Sequence, residues 1–180
     1  MLTLSPKKKK AAVAMFLQYY FWSFSFIVFH RDLDPLFSHA VLKKWHGIAQ
    51  NAHFCSSIMA FRILNEFFRR SDCHEDIRAH HFGFHSRGQF IQQREIDRVS
   101  KIFMHASYGS LRLRRPDWNM VDWQRRLTRR AIPFLKFLRD THFKRSSDVK
   151  GEIDQYLSMT TELMRYAEKI AARKINASAT

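Results

Sequence analysis

Apolar residues return every three or four positions along almost the whole chain, and that spacing admits few folds. Leu36, Val41, Trp45, Ile48, Ala52 and Cys55 recur at steps of three to five, followed by Met59, Ile63, Phe67 and Phe68. Trp118, Trp123, Leu127 and Ala131 repeat the pattern, and Phe134, Leu135 and Leu138 extend it. Ile153, Tyr156, Leu157, Met164 and Ala167 form a last stripe. Side chains so spaced share one face of an α-helix. Only five Gly and four Pro interrupt 180 residues, which argues against an all-β chain of many turns. The expected fold is all-α, one bundle of five or six helices, long enough to bury a core.

Capping signals place the boundaries. Asp34-Pro35 supplies an N-cap and a first helical residue. The helix it opens runs towards Arg69-Arg70, with Gly47 bending or splitting it. Residues 73–90 read as irregular, broken by Gly83 and Gly88. Helix resumes near Ile91 and reaches about Ser107, and Tyr108 to Pro116 is a basic loop. Asp117 caps the next helix, which Pro133 ends or kinks. Asp148 opens a last helix over about 149–174. Residues 1–10 are expected as a disordered basic tail, 11–30 as an apolar helix, 31–174 as the bundle and 175–180 as a second tail.

Ala11 to Phe29 holds no charged residue, and nineteen such residues can just span a bilayer. Lys7 to Lys10 would then keep the N-terminus in the cytoplasm. No small-x-small site follows closely, which argues against a signal peptide. Gln18, Tyr19, Tyr20, Trp22, Ser23 and Ser25 would put polar atoms where lipid offers no partners. The preferred reading is a helix packed on the domain. An inner-membrane tether through residues 11–29 is the alternative. Two cysteines, Cys55 and Cys73, define no disulfide framework and fit a reducing cytoplasm.

The net charge is +15, and it is concentrated. Between 101 and 150, thirteen Lys and Arg face only four Asp. Such an excess suits RNA or another polyanion. Arg125, Arg126, Arg129 and Arg130 are adjacent pairs one turn apart and predict a broad basic face for phosphate contacts, without base readout. Asp122, four residues before Arg126, neutralises part of it, and a merely solvated face is the competing reading. His81 and His85 could share a metal with Cys73, His74 or Asp76, but no standard ligand spacing is present, and neither metal nor cofactor is expected. Glycine-rich phosphate loops, nucleophile elbows and HExxH are absent from the sequence.

One stretch carries chemistry. In Glu95 to Tyr108, EIDRVSKIFMHASY, Arg98 and His105 are seven residues apart. At about 100° per residue, that returns to within about 20° of one face after two turns. An imidazole can accept and donate a proton near neutral pH, and an arginine can stabilise charge building on phosphorus. Together they could cleave RNA through its own 2′-hydroxyl, without metal. Lys101, between them, could hold a phosphate as a point charge.

AFRILNEFF (Ala60 to Phe68), HEDIRAHHF (His74 to Phe82) and EIDRVSKIFMHASY occur in an order that resembles a set of bacterial helical proteins. Lys101, His105, Trp118 and Trp123 match its outline. That set is similar to the HEPN superfamily of helical bundles, many of them RNases or toxin components. The HEPN motif is Arg, four to six residues, then His. Arg98 to His105 fits at the outer limit, with Val99 where a polar residue usually follows the Arg. Arg78 to His85 also fits, but crosses Gly83. The resemblance implies Arg98 and His105 as catalytic residues and a homodimer whose two motifs line one cleft. The expected function is RNA binding, with metal-independent endoribonuclease activity. The alternatives are a non-catalytic nucleic-acid- or protein-binding module, and a membrane-tethered helical protein.

Overall fold

The computed structural model describes residues 4–33, 35, 42, 45–69, 76–99 and 120–177. Among them are six α-helices and no strand: α1 (Pro6–Ser23), α2 (Ser25–Val28), α3 (His46–Phe68), α4 (Gln93–Val99), α5 (Met120–Phe137) and α6 (Ser147–Ala177). The fold is all-α, as the apolar spacing predicts. Short π-helical turns follow α2 and α5, and a 3₁₀ turn covers Ala79–Phe82. Expected boundaries at Asp34, Asp117 and residues 100–119 lie outside the described residues.

The first helix begins earlier than expected. Ser5 caps it, its hydroxyl accepting from Lys8 N–H, and Pro6 sits at the first turn. Lys7 to Lys10 therefore stand on helix α1. At the other end, α6 runs three residues into the stretch expected as a tail.

Helices α1 and α3 run antiparallel as one layer, and α5 with α6 forms the layer beneath. Phe16 of α1 meets Phe67 at 4.9 Å near one end, and the Ser25 hydroxyl hydrogen-bonds His53 towards the other. Phe16, Phe67, Phe68 and Phe82 all pack around Phe134 of α5, with ring centroids 5.0 to 6.0 Å away. Mostly edge-to-face rings of this kind account for the heavy use of Phe. Pro133 does not end α5: it is exposed, and the helix continues to Phe137 before a π turn over Leu138–His142.

The stripes read from the sequence hold for α5 and α6. Trp123, Leu127, Ala131, Phe134, Leu135 and Leu138 are buried, as are Ile153 and Ala167. For α3 the reading needs correction. Ile48 is 63% exposed and Met59 52% exposed, and Trp45 also faces out. Phe67 and Phe68 of that stripe are buried, but the rest of the buried face carries Ile58, Phe61 and Leu64, together with the polar Ser57 and Asn65. Both sides of α3 are apolar, and periodicity alone does not tell which turns inward.

Ser57 shows why polar residues occupy the inner face. Its hydroxyl accepts from Phe26 N–H at 2.9 Å and donates to Trp22 C=O at 3.3 Å. Those two backbone groups are the i and i−4 partners of an unbroken helix. A side chain from α3 is inserted between them, and the α1–α2 pair bends by 45°. Ser23 donates to Tyr20 C=O and accepts from Gln124 of α5, which is fully buried. Of the polar side chains that lipid could not satisfy, Tyr20, Ser23 and Ser25 find protein partners, and Ala12, Val13, Phe16, Leu17 and Tyr20 lie in the core. No single described helix is long and apolar enough to cross a membrane, and the bent α1–α2 pair passes only on length and composition.

Candidate functional site

A groove of about 500 Å³ opens between the chain at 89–92 and the outer side of α5. Gln89, Phe90, Ile91, Gln92, Arg126, Arg129 and Arg130 line it. Its floor is built from the backbone upward. Gly88 takes φ 88°, a left-handed conformation open to glycine, and turns the chain towards α3. The Ser86 hydroxyl accepts from Gly88 N–H and donates to Phe68 C=O, both at 3.1 Å. Asn65 then fixes the strip: its carbonyl oxygen accepts from both Phe90 and Ile91 N–H at 2.8 Å. Phe90 packs inward on Phe61, which meets Trp123.

Glu95 joins this floor to α5. Its carboxylate accepts from Gln92 N–H at 2.8 Å, one half of a capping box for α4. It also accepts from the Trp123 indole at 2.9 Å and from both terminal nitrogens of Arg126, at 3.0 and 3.2 Å. Burial opposes its charge, but the bonds from Arg126, Gln92 and Trp123 together outweigh that, and the carboxyl lies below its ordinary range. Arg126 further donates to Phe90 C=O at 3.0 Å and pairs with Asp122 at 2.8 Å. Its hydrogen bonds to Glu95, opposed by burial, raise its pKa.

The four arginines of α5 therefore do not form one free face. Arg126 is a clamp. Arg125 leans to Glu168 of α6 at 3.6 Å. Arg129 is exposed and Arg130 half-buried, and neither has an acidic partner among the described residues. Burial first, and then the charge of Arg87, lower the pKa of Arg130. Its Nε is shielded from solvent and has no hydrogen-bond partner. Arg87 comes from the loop before the floor, so three cations gather at one side of the groove.

The Arg98 and His105 pair expected to act on RNA falls largely outside the described residues. Arg98 lies in the last turn of α4, one turn beyond Glu95. Its side chain, Lys101 and His105 lie outside the described residues. The second Arg-to-His match is split: Arg78 is 3% exposed and His85 is exposed. Arg78 donates to Glu66 C=O and to Asp76, both at 2.8 Å, so it holds the loop against the end of α3. Of the histidine cluster, His81 accepts from Arg78 N–H, and burial, then His80 and Arg78, lower its pKa. Among the described residues no three His, Cys, Asp or Glu side chains converge to hold a metal. Cys73 and His74 lie outside that set.

Asn65, Arg87 and Glu95 were not singled out by the sequence reading. Asn65 left a signal, a polar residue on an apolar period between Leu64 and Phe68. Glu95, three residues after Gln92 at the start of a helix, left the spacing of a capping box. Arg87 left none. Compared with family models, curated proteins and solved structures, the chain shows no match, and its site stands on its own residues.

Proposed function

We propose that this protein binds RNA by its phosphate backbone, with Arg129, Arg130 and Arg87 as the contacts at the groove beside α5. One observation carries the reading: these cations sit together without a carboxylate among the described residues, in a chain of net charge +15. An arginine that is half-buried, beside another arginine and unpaired, gains from an anion that supplies both charge and acceptors. Phosphate does both, and the flat Arg fork matches it bidentately. Gln89 and Gln92 add amide donors and acceptors at the rim. Arg126 serves as the fixed wall against which the others are presented.

Cleavage is the finer part of this reading and rests on Arg98 and His105. Arg98 stands on α4, the helix that Glu95 ties to Arg126.

The binding experiment is fluorescence anisotropy with mixed-sequence RNA over a salt series. Arg129→Gln with Arg130→Gln lowers affinity about tenfold or more and reduces the salt slope by about two. Arg125→Gln changes either quantity little. An unchanged slope in the double variant overturns the site. For cleavage, wild type and His105→Ala are compared on the same RNA with EDTA present. Activity that survives the substitution ends the catalytic reading and leaves the binder.

A further inference from the structure

The free positive charge at the groove forms a spot and not a track. Arg129 and Arg130 line the groove, and the charge of Arg87 acts on Arg130. None of the three has an acidic partner among the described residues. Towards the start of α5 the charge is cancelled, since Arg126 is held by Glu95 and Asp122, and Arg125 by Glu168. Towards its end the next cation is Lys136, about 9 Å of helical rise beyond Arg130.

The floor offers no counter-charge. Phe90 C=O accepts from Arg126, and the Asn65 carbonyl oxygen occupies the N–H groups of Phe90 and Ile91. Two carboxylates hydrogen-bond the strip, and both are committed. Glu95 is held by Arg126, and Glu66 by Gln89, Arg69 and Arg78. At about 500 Å³ the recess lies within the size range of pockets that take one small ligand.

RNA carries two kinds of phosphate. A backbone diester bears a single negative charge. A terminal monoester bears about −1.5 to −2 near pH 7 and keeps three outer oxygens as acceptors. Burial, and then the charge of Arg87, hold the pKa of Arg130 down, as expected of a cation short of negative charge. Three gathered arginines are compensated by a dianion and left in excess by a monoanion. The monoester also has an acceptor for each of the three forks. We propose, resting on the RNA reading above, that the preferred anion of this groove is the terminal phosphomonoester of a strand. Backbone phosphates of the same strand then make the weaker contacts.

The test is fluorescence anisotropy with one internally labelled single-stranded RNA in three forms: 5′-phosphate, 3′-phosphate, and hydroxyl at both ends. At about pH 7.5 a phosphorylated form binds about fivefold or more tighter than the hydroxyl form, and the end that does so is the one recognised. Arg129→Gln with Arg130→Gln removes the difference, and Arg87→Gln alone reduces it. The advantage shrinks towards about pH 5.5, because the monoester takes up its second proton near pH 6. The Gln, Phe, Ile and Arg side chains that line the groove do not titrate in that window. Three forms that bind alike, all weakened by the double variant, overturn the terminal phosphate and leave the backbone reading standing. Binding of all three that the double variant does not touch overturns the site, and the proposal with it. A phosphate advantage that survives the double variant places the strand end elsewhere and overturns the proposal.

Discussion

Helix α5 contains the same dipeptide twice, one turn apart, and the two copies live in opposite electrical surroundings. Arg125 and Arg126 meet Glu168, Asp122 and Glu95. Arg130 meets Arg87, and neither it nor Arg129 has a carboxylate partner among the described residues. Local sequence cannot separate the pairs. The carboxylates that do so arrive from α4 and α6, and only Asp122 is near in the chain. A run of cations is thus a poor guide to free charge until the fold has assigned its partners. In this protein one pair holds the structure together and the other is left to act on something else.

The largest effect that tests this contrast is loss of the clamp. Glu95→Ala removes the acceptor for Arg126, Trp123 and Gln92 N–H together. It is expected to cost about 2 kcal/mol, or roughly 6 °C in the thermal midpoint. Arg129→Gln with Arg130→Gln stays within about 0.5 kcal/mol of wild type, as surface changes usually do. Equal losses in the two variants, read by thermal unfolding, would remove the distinction.

Transplanting a carboxylate comes next. Arg87→Glu gives Arg130 the neighbour that Arg126 already has. Stability rises by about 0.5 kcal/mol in chemical denaturation, since the new pair is partly exposed. RNA affinity falls although Arg129 and Arg130 are untouched. Affinity that holds steady would place the bound phosphates away from Arg130.

Acid titration offers a smaller and more specific reading. The folded carboxyl of Glu95 lies below its unfolded value, so its contribution is complete above the unfolded pKa. It fades as pH falls through the lower folded value. Stability measured against pH should therefore decline more steeply on the acid side in wild type than in Glu95→Gln. Parallel curves would show that the clamp carries no charge-dependent stability. The smallest effect belongs to Asp122→Asn, which removes a partly exposed partner one turn from Arg126 and costs about 0.3 kcal/mol.

Much of the fold was legible from the chain alone. The all-α class, the inner faces of α5 and α6, and the packing of Ala11 to Phe29 on the domain all follow from apolar period and polar dilution. The inward face of α3 was not legible. Its Ser57 and Asn65 are buried because they satisfy backbone groups of other segments, and a hydrophobic pattern counts such residues as outward. Of the groove, Arg129 and Arg130 were visible as part of a ladder. Arg87 and Glu95 were not, because each reaches α5 across more than thirty residues of chain. Asp122 with Arg126 was visible, being four residues apart. Lys101 and His105 fall outside the described residues, so the expectation placed on Arg98 and His105 rests on sequence.

The hydroxyl of Ser57 between Trp22 and Phe26 has a consequence for the order of assembly. The joint of the first helix is not written in the first helix. In a nascent chain ending before α3, Phe26 N–H has Trp22 C=O as its nearest partner, and the segment from Pro6 to Leu33 closes as one straight rod of about 42 Å. It acquires its 45° bend only when a residue more than thirty positions later is delivered to it. The segment from Pro6 to Leu33 thus takes its folded shape only after α3 has docked, and until then it is a straighter and more exposed apolar helix than the one in the folded molecule.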